Sequence, residues 1–160
     1  DLGVESKFNE DGLVLRSIPV SIREFFYDCS HCPDIAQTLA VTCFGLGIAC
    51  HLTGLSTLKI KESDRLHALK TELEKFGAKV DVGLDFIRVL PEISNKNQET
   101  KNKKQETIET YNDHRMAMSF APLCFKFPGI QIESPEVVTK SYPRFWTDLQ
   151  SVGFSLNLQP

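Results

Sequence analysis

No apolar run in this sequence approaches the roughly 20 residues a helix needs to span a bilayer. The longest apolar-rich stretch, Ile35 to Ala49, is broken by Gln37, Thr38, Thr42, Gly45 and Gly47, so no membrane partner is expected. A basic excess is also missing. The net charge is −3, whereas proteins that neutralise a phosphate backbone are usually basic, so nucleic acid is not expected either. The opening residues Asp1-Leu2-Gly3-Val4-Glu5 carry neither the basic nor the apolar region of a signal peptide. The 5 cysteines are odd in number and lack a disulfide-framework spacing, which reads as reduced thiols and a cytoplasmic location. Cys29, His31 and Cys32 come near a metal-binding spacing. No second Cys/His pair follows to complete a four-ligand zinc site, so no metal is expected and the three read as a loop entering a helix.

What remains is an ordinary composition, 41% hydrophobic and 24% charged over 160 residues, enough to bury a core. Within it lies a repeat. Leu73-Glu74-Lys75-Phe76-Gly77 precedes the alternating run Ala78 to Val82, and Leu149-Gln150-Ser151-Val152-Gly153 precedes Phe154 to Leu158 in the same way. Leu2-Gly3 before Val4 to Phe8 is a truncated third copy. Each copy predicts a helix stopped at a left-handed glycine and followed by a period-2 strand.

Reading outward from these anchors gives a unit of order βαβαββ. One complete unit is expected over 25–90: a strand near Phe25–Tyr27, a helix from Asp34 to Ala49, a strand near His51–Leu55, a helix from Ser63 to Phe76, and a hairpin of Ala78–Val82 and Phe86–Leu90. Most of a further unit is expected over 107–158: a strand near Thr107–Tyr111, a helix from Asp113 to Phe125, a strand at Ile130–Glu133, a helix at Pro143–Val152 and a strand at Ser155–Leu158. Residues 1–15 supply only the closing hairpin of an earlier unit, turned at Asn9-Glu10-Asp11-Gly12, which predicts a piece of a longer protein. The stretch 94–106, rich in Asn, Gln, Lys and Glu, reads as an exposed loop. Leu66, Leu69, Leu73 and Phe76 form one apolar stripe, as do Met116, Phe120 and Leu123. The Asp34–Ala49 helix is apolar on most sides and should be buried on most sides.

The charged residues of interest gather at four helix entrances: Pro33-Asp34, Lys61-Glu62-Ser63-Asp64-Arg65, Asn112-Asp113-His114-Arg115 and Lys140-Ser141-Tyr142-Pro143. Ser63, Asp113 and Ser141 suit the N-cap, and Pro33 and Pro143 suit the first helical position. Arg65 and Arg115, however, would lie in first turns, where the macrodipole opposes a cation by a few tenths to about 1 kcal/mol. Lys61 and Lys140 stand just before helix starts with the same conflict. One such cation is most simply paired with a neighbouring carboxylate. Four together point to an anionic ligand held by cations and backbone N–H groups. Asp34 and Glu62 would then serve as acid and base, against the plainer readings of dipole pairing for Asp34 and a salt bridge to Lys59 or Arg65 for Glu62.

The run Lys61-Glu62-Ser63-Asp64-Arg65-Leu66, followed by Glu72-Leu73 and Gly77-Ala78, resembles a signature of the 5-enolpyruvylshikimate-3-phosphate synthases. Asn112-Asp113-His114-Arg115-Met116-Ala117-Met118 resembles a second, and Pro33-Asp34 and Thr139-Lys140-Ser141-Tyr142-Pro143 resemble two more. All four occur in the family's order, and the similarity runs over essentially the whole chain. The resemblance implies an α+β fold, an alpha-beta prism of repeated βαβαββ units with buried helices and mixed sheets, with residues 1–160 forming part of the carboxy-terminal domain.

The resemblance also implies transfer of the enolpyruvyl group of phosphoenolpyruvate to shikimate 3-phosphate, with release of phosphate, in chorismate and aromatic amino-acid synthesis. Glu62, Arg65, Arg115 and Lys140 would hold phosphoenolpyruvate. Asp34, Thr57 and Lys61 would contact shikimate 3-phosphate, Thr57 standing about where many relatives carry an Asn. Asp34 would take the hydroxyl proton and Glu62 would move the proton at the methylene carbon, helped by Lys61 and His114. No metal or organic cofactor is implied. The partners implied are the two substrates and an amino-terminal domain, in a protein that is a monomer at full length. A fragment alone would be inactive. Two rivals differ from this: a UDP-sugar enolpyruvyl transferase, disfavoured by the Lys-Glu-Ser-Asp-Arg and Asp-His-Arg-Met-Ala-Met runs, and a non-catalytic βαβαββ binding module contacting RNA, disfavoured by the lack of a basic, aromatic-studded face.

Overall fold

The computed structural model of the chain describes residues 2–60, 64–91 and 106–157. Its strands are β1 (Val4–Asn9), β2 (Gly12–Ser17), β3 (Glu24–Asp28), β4 (Ala49–Thr53), β5 (Ala78–Val82), β6 (Ile87–Pro91), β7 (Thr107–Ile108) and β8 (Gln131–Ile132). Its α-helices are α1 (Ala36–Leu46), α2 (Arg65–Lys75), α3 (His114–Phe120) and α4 (Phe145–Ser151), with 3-10 turns at Pro33–Ile35, Ser56–Ile60, Ala121–Phe125 and Pro135–Lys140. From β3 to β6 the elements run βαβαββ, closing a mixed sheet of order β3-β4-β6-β5. β3 and β4 are parallel, and the β4–β6 and β6–β5 pairs are antiparallel.

The helix stops follow from the glycines: Gly77 has φ 87° and Gly153 φ 101°. The central sheet shows period-2 burial. Cys50 and Leu52 of β4, Val80 of β5, and Ile87 and Val89 of β6 are buried, with Lys79, Asp81 and Arg88 turned to solvent between them. Against the buried face lie the apolar stripe of α2 (Leu66, Leu69, Leu73) and Ala40, Val41 and Phe44 of α1. Met116, Phe120 and Leu123 join the same core from α3 and the turn after it. A small satellite of Ala117, Val137 and Val138 fixes the Pro135–Lys140 turn on α3.

Several expectations change. The helix expected over 34–49 opens as a 3-10 turn and closes at Gly47 (φ 74°). As expected it is buried on most sides, and only the stripe of Thr38, Thr42 and Leu46 (45% exposed) faces solvent. The helix expected over 113–125 leaves α geometry at Ala121, because Pro122 has no N–H to donate to the preceding turn. Ser141 and Pro143 do not start a helix. Both the Ser141 and Tyr142 amides donate back to the Val138 carbonyl, at 3.1 and 2.7 Å. The chain there is still finishing the turn that ends at Lys140, and α4 begins at Phe145. At α2 the cap is Asp64, whose side chain accepts from the His67 amide, while Ser63 lies outside the described residues. Residues 155–157 form no strand. Most of the expected 94–106 loop, and Lys61 and Glu62 with Ser63, also lie outside the described residues.

Candidate active site

The entrances of three helices converge. Asp113 sits in extended backbone (φ −111°, ψ 115°) just before α3, and its Oδ1 accepts from the Arg115 amide at 2.9 Å. That cap leaves Oδ2 pointing across to α2, where it accepts from Arg65 Nε at 2.6 Å. Gln37 Nε2 of α1 donates to the same oxygen at 3.4 Å. Asp113 is 0% and Arg65 2% exposed, so this is a buried ion pair with its remaining hydrogen bonds supplied.

From there the network climbs to the surface. Arg65 Nη1 donates to Asp34 Oδ1 at 2.8 Å, and Arg115 Nη2 donates to Asp34 Oδ2 at 3.2 Å. Arg115 Nη1 also donates to the Asp34 carbonyl at 3.2 Å. The Asp34 side chain is 40% and that of Arg115 34% exposed. The dipole conflict expected for Arg65 is thereby resolved from outside its helix. Charge-assisted hydrogen bonds of about 1.5–3 kcal/mol each exceed the repulsion of a first-turn cation.

Lys140 reaches the cluster from the fourth place. Its ammonium donates to the carbonyl and the Oδ1 of Asn112, at 2.7 and 3.0 Å, on the turn that leads into Asp113. His114, 14% exposed, lies with Nδ1 3.9 Å from Asp113 Oδ1, beyond hydrogen-bond reach. Among the described residues, the buried side-chain polar atoms without a hydrogen-bond partner are Gln37 Oε1, His114 Nδ1 and Arg115 Nε. Two of the three therefore belong to the expected site. Thr57 is exposed on the Ser56–Ile60 turn, which packs against the Asp34 turn. Lys61 and Glu62 carry no described geometry. A groove of about 620 Å³ elsewhere, lined by residues including Cys124, Ile130, Trp146, Leu149 and Phe154, contains none of these groups.

The structure thus brings together Asp34, Arg65 and Arg115 by direct contact, and Lys140 and His114 by contact with the Asn112-Asp113 turn. Only a capping role was readable for Asp113 from the sequence, and none for Asn112 or Gln37. Its plain pairing of an Arg with a nearby carboxylate was right in kind. Among the described residues, the partners of Arg65 nonetheless lie 31 and 48 residues away in sequence. Two guanidinium groups, an ammonium and an oxygen-rich but accessible carboxylate are a set that can hold a phosphorylated anion and accept a proton beside it. Among the described residues no group of His, Cys, Asp and Glu is arranged to hold a metal ion, and no helix is long and apolar enough to cross a membrane.

The sequence model of the family described as EPSP synthase (3-phosphoshikimate 1-carboxyvinyltransferase) matches residues 1–149. A 3-phosphoshikimate 1-carboxyvinyltransferase of Bacteroides fragilis (strain YCH46) is 41% identical over 157 residues, covering 98% of this chain and 37% of that protein. One from Shewanella denitrificans is 38% identical over 148 residues, covering 92% of this chain and 32% of that protein. A solved EPSP synthase from Acinetobacter baumannii superposes with a TM-score of 0.64 at 26% identity, over 78% of this chain and 28% of that one. The chain therefore spans about a third of the length of the curated relatives it matches.

Proposed function

Since this chain belongs to the EPSP synthase family, we propose that it supplies about half of an active site that moves enolpyruvate from phosphoenolpyruvate to the 5-hydroxyl of shikimate 3-phosphate. The observation that carries this reading is the convergence of Asp34, Arg65 and Arg115, with Lys140 beside them, at three helix entrances. In this reading Arg65, Arg115 and Lys140 hold phosphoenolpyruvate, together with Glu62. Asp34, Lys61 and Thr57 face shikimate 3-phosphate. The remaining phosphate ligands come from an amino-terminal domain, and the complete protein is a cytoplasmic monomer.

The chemistry has two steps. The 5-hydroxyl oxygen bonds to C2 of phosphoenolpyruvate while its proton passes to Asp34 and the methylene carbon gains a proton from Glu62. The resulting tetrahedral intermediate then loses phosphate as the methyl group returns a proton, which regenerates the double bond as an enol ether. Lys61 and His114 assist these proton transfers. In the ligand-free chain Asp34 accepts from both guanidinium groups. Phosphoenolpyruvate binding at those groups relieves Asp34 of these donors and leaves its lone pairs available to the hydroxyl proton. Fixed cations aimed at the departing phosphate supply the electrostatic part of the catalysis.

The test uses the chain itself. Titration with inorganic phosphate should move NMR signals of Arg65, Arg115 and Lys140 while signals of the β5–β6 hairpin stay still. An unchanged spectrum at these three residues would sink the binding half of the reading. In a coupled assay with both substrates the chain alone should release little or no phosphate, since it spans about a third of its relatives. Measurable release would overturn the assignment of half a site.

A further inference from the structure

Glu72 is a buried acid that the reaction above does not use. It lies on α2 seven residues after Arg65, is 0% exposed, and both of its carboxylate oxygens accept hydrogen bonds. Oε2 accepts from Lys75 Nζ at 2.6 Å and from the Glu109 amide at 3.2 Å, and Oε1 accepts from the Tyr111 hydroxyl at 2.9 Å. Lys75 in turn donates to the Thr107 carbonyl at 2.9 Å. α2 therefore grips the strand entering the site at residues 107, 109 and 111.

Immediately after that grip the backbone does something costly. Tyr111 and Asn112 are both left-handed, with φ of 52° and 57°. Asparagine tolerates this region, but for a bulky aromatic residue it is an outlier that persists only when the surroundings hold it, at about 1–3 kcal/mol. The Tyr111 ring packs against the core and its hydroxyl is tied to Glu72. Burial and the Glu72 carboxylate both push that phenol above its ordinary pKa, so it stays a donor. The product of the double turn is a pair of Asn112 oxygens, carbonyl and Oδ1, set side by side, and both receive the Lys140 ammonium.

We propose that Glu72 is a positioning residue for Lys140, acting through the Tyr111 hydroxyl and the left-handed Tyr111-Asn112 turn. This rests on the reading of Lys140 as a ligand of phosphoenolpyruvate, and it deepens that reading. α2 then serves the site twice: its first residue binds the anion, and a residue two turns on sets the cation on the far side. A clamp of α2 on β7 alone would need only Lys75 and the Glu109 amide. The bond to the Tyr111 ring tip is the one that reaches the turn.

The experiment compares Tyr111→Phe, Glu72→Gln and a control, Tyr142→Phe, by NMR of the ligand-free chain. Tyr111→Phe removes one oxygen and leaves the Glu72 contacts to Lys75 and Glu109 in place. It should shift the Asn112 side-chain amide and the Lys140 ε-methylene signals, and Glu72→Gln should shift the same signals. Tyr142→Phe, which loses an exposed hydrogen bond to Asp148, should leave them alone. If Glu72→Gln does not fold, Tyr111→Phe decides by itself. Asn112 and Lys140 signals no further displaced than in the control overturn the proposal. Because this readout needs no ligand, it stands apart from any failure of phosphate binding. Where phosphate does bind, Tyr111→Phe should weaken it by about twofold to tenfold, the worth of one hydrogen bond, with the loss of response concentrated at Asn112 and Lys140 rather than Arg65. An equal loss at Arg65 also overturns the proposal, since it would mark a general loosening.

Discussion

Without the Asp113 carboxylate, the Arg65 guanidinium would keep its 2% exposure and lose its innermost partner. Breaking a buried ion pair from one side costs about 3–5 kcal/mol, and the bond Arg65 keeps to Asp34 at 2.8 Å offsets part of that loss. Asp113→Ala also removes the cap of α3, worth about 1 kcal/mol. Asp113→Asn keeps an oxygen for the Arg115 amide and removes only the charge, so it should lose distinctly less. Equilibrium urea unfolding of the two variants separates these contributions. Equal losses, or an alanine variant as stable as the parent, would show that Arg65 does not depend on this carboxylate. The dependence was invisible in the sequence for a plain reason. A cap is a local property, readable from Asp113 and the residues just after it, whereas the second oxygen serves a helix that starts 48 residues earlier.

At the scale of elements, the segment that carries Thr57 is pinned from two sides. The Asp85 carboxylate in the β5–β6 turn accepts from the Ser56 amide at 2.8 Å and the Gly54 amide at 3.3 Å. On its other side Gly54 lies against the turn after β3. A Cβ at Gly54 would meet the backbone nitrogen of Ser30 and sit 2.6 Å from Asp28 Oδ1. Gly47, the stop of α1, has nearly the same backbone (φ 74° against 73°) and nothing within 4 Å of such a Cβ. Gly47→Ala should therefore cost only the left-handed penalty of about 1–2 kcal/mol. Gly54→Ala should cost that plus an overpacking term of about 1–3 kcal/mol. Urea midpoints for the pair test this, and equal losses would mean the Asp28–Ser30 turn yields freely.

Elements set by a local rule are the ones a sequence reveals. Helix stops at Gly77 and Gly153, and the alternating strand after Gly77, were legible because each is a local rule of backbone and period. The entrance residues Asp34, Arg65 and Arg115 were legible because first-turn cations break such a rule and so call for a partner. The 3-10 turns were not legible. Pro122 converts the end of α3, and at Ser141 the chain is leaving one turn rather than entering another, a distinction set by which carbonyl receives the Tyr142 amide. Glu72 was hidden for the opposite reason. A glutamate in mid-helix beside Lys75 looks like a solvated pair, and only the approach of residues 107–111 buries it.

At the scale of the whole molecule, stability is unevenly distributed. The β1–β2 register puts Val4, Ser6 and Phe8 on the same face as Leu13 and Leu15, and every residue of both strands is exposed. Phe8 is 80% and Leu15 61% exposed, so that apolar face stands in water. A two-stranded hairpin with no covered face is marginally stable at best, while β4 and β6 lie in the middle of a four-stranded sheet against the main core. Hydrogen exchange should therefore split the chain into two classes. Amides of β1 and β2 should exchange by local opening at close to free-chain rates, and those of Cys50, Leu52 and Val89 should exchange only with opening of the core. The site belongs to the second class, because α1, α2 and α3 all pack into that core and Arg65 is tied to Asp113 within it. Addition of urea below the unfolding midpoint should leave hairpin rates nearly unchanged and accelerate those of β4 and β6. Hairpin amides as slow as those of the central sheet would refute this division, and would mean that something covers Phe8 and Leu15 in solution.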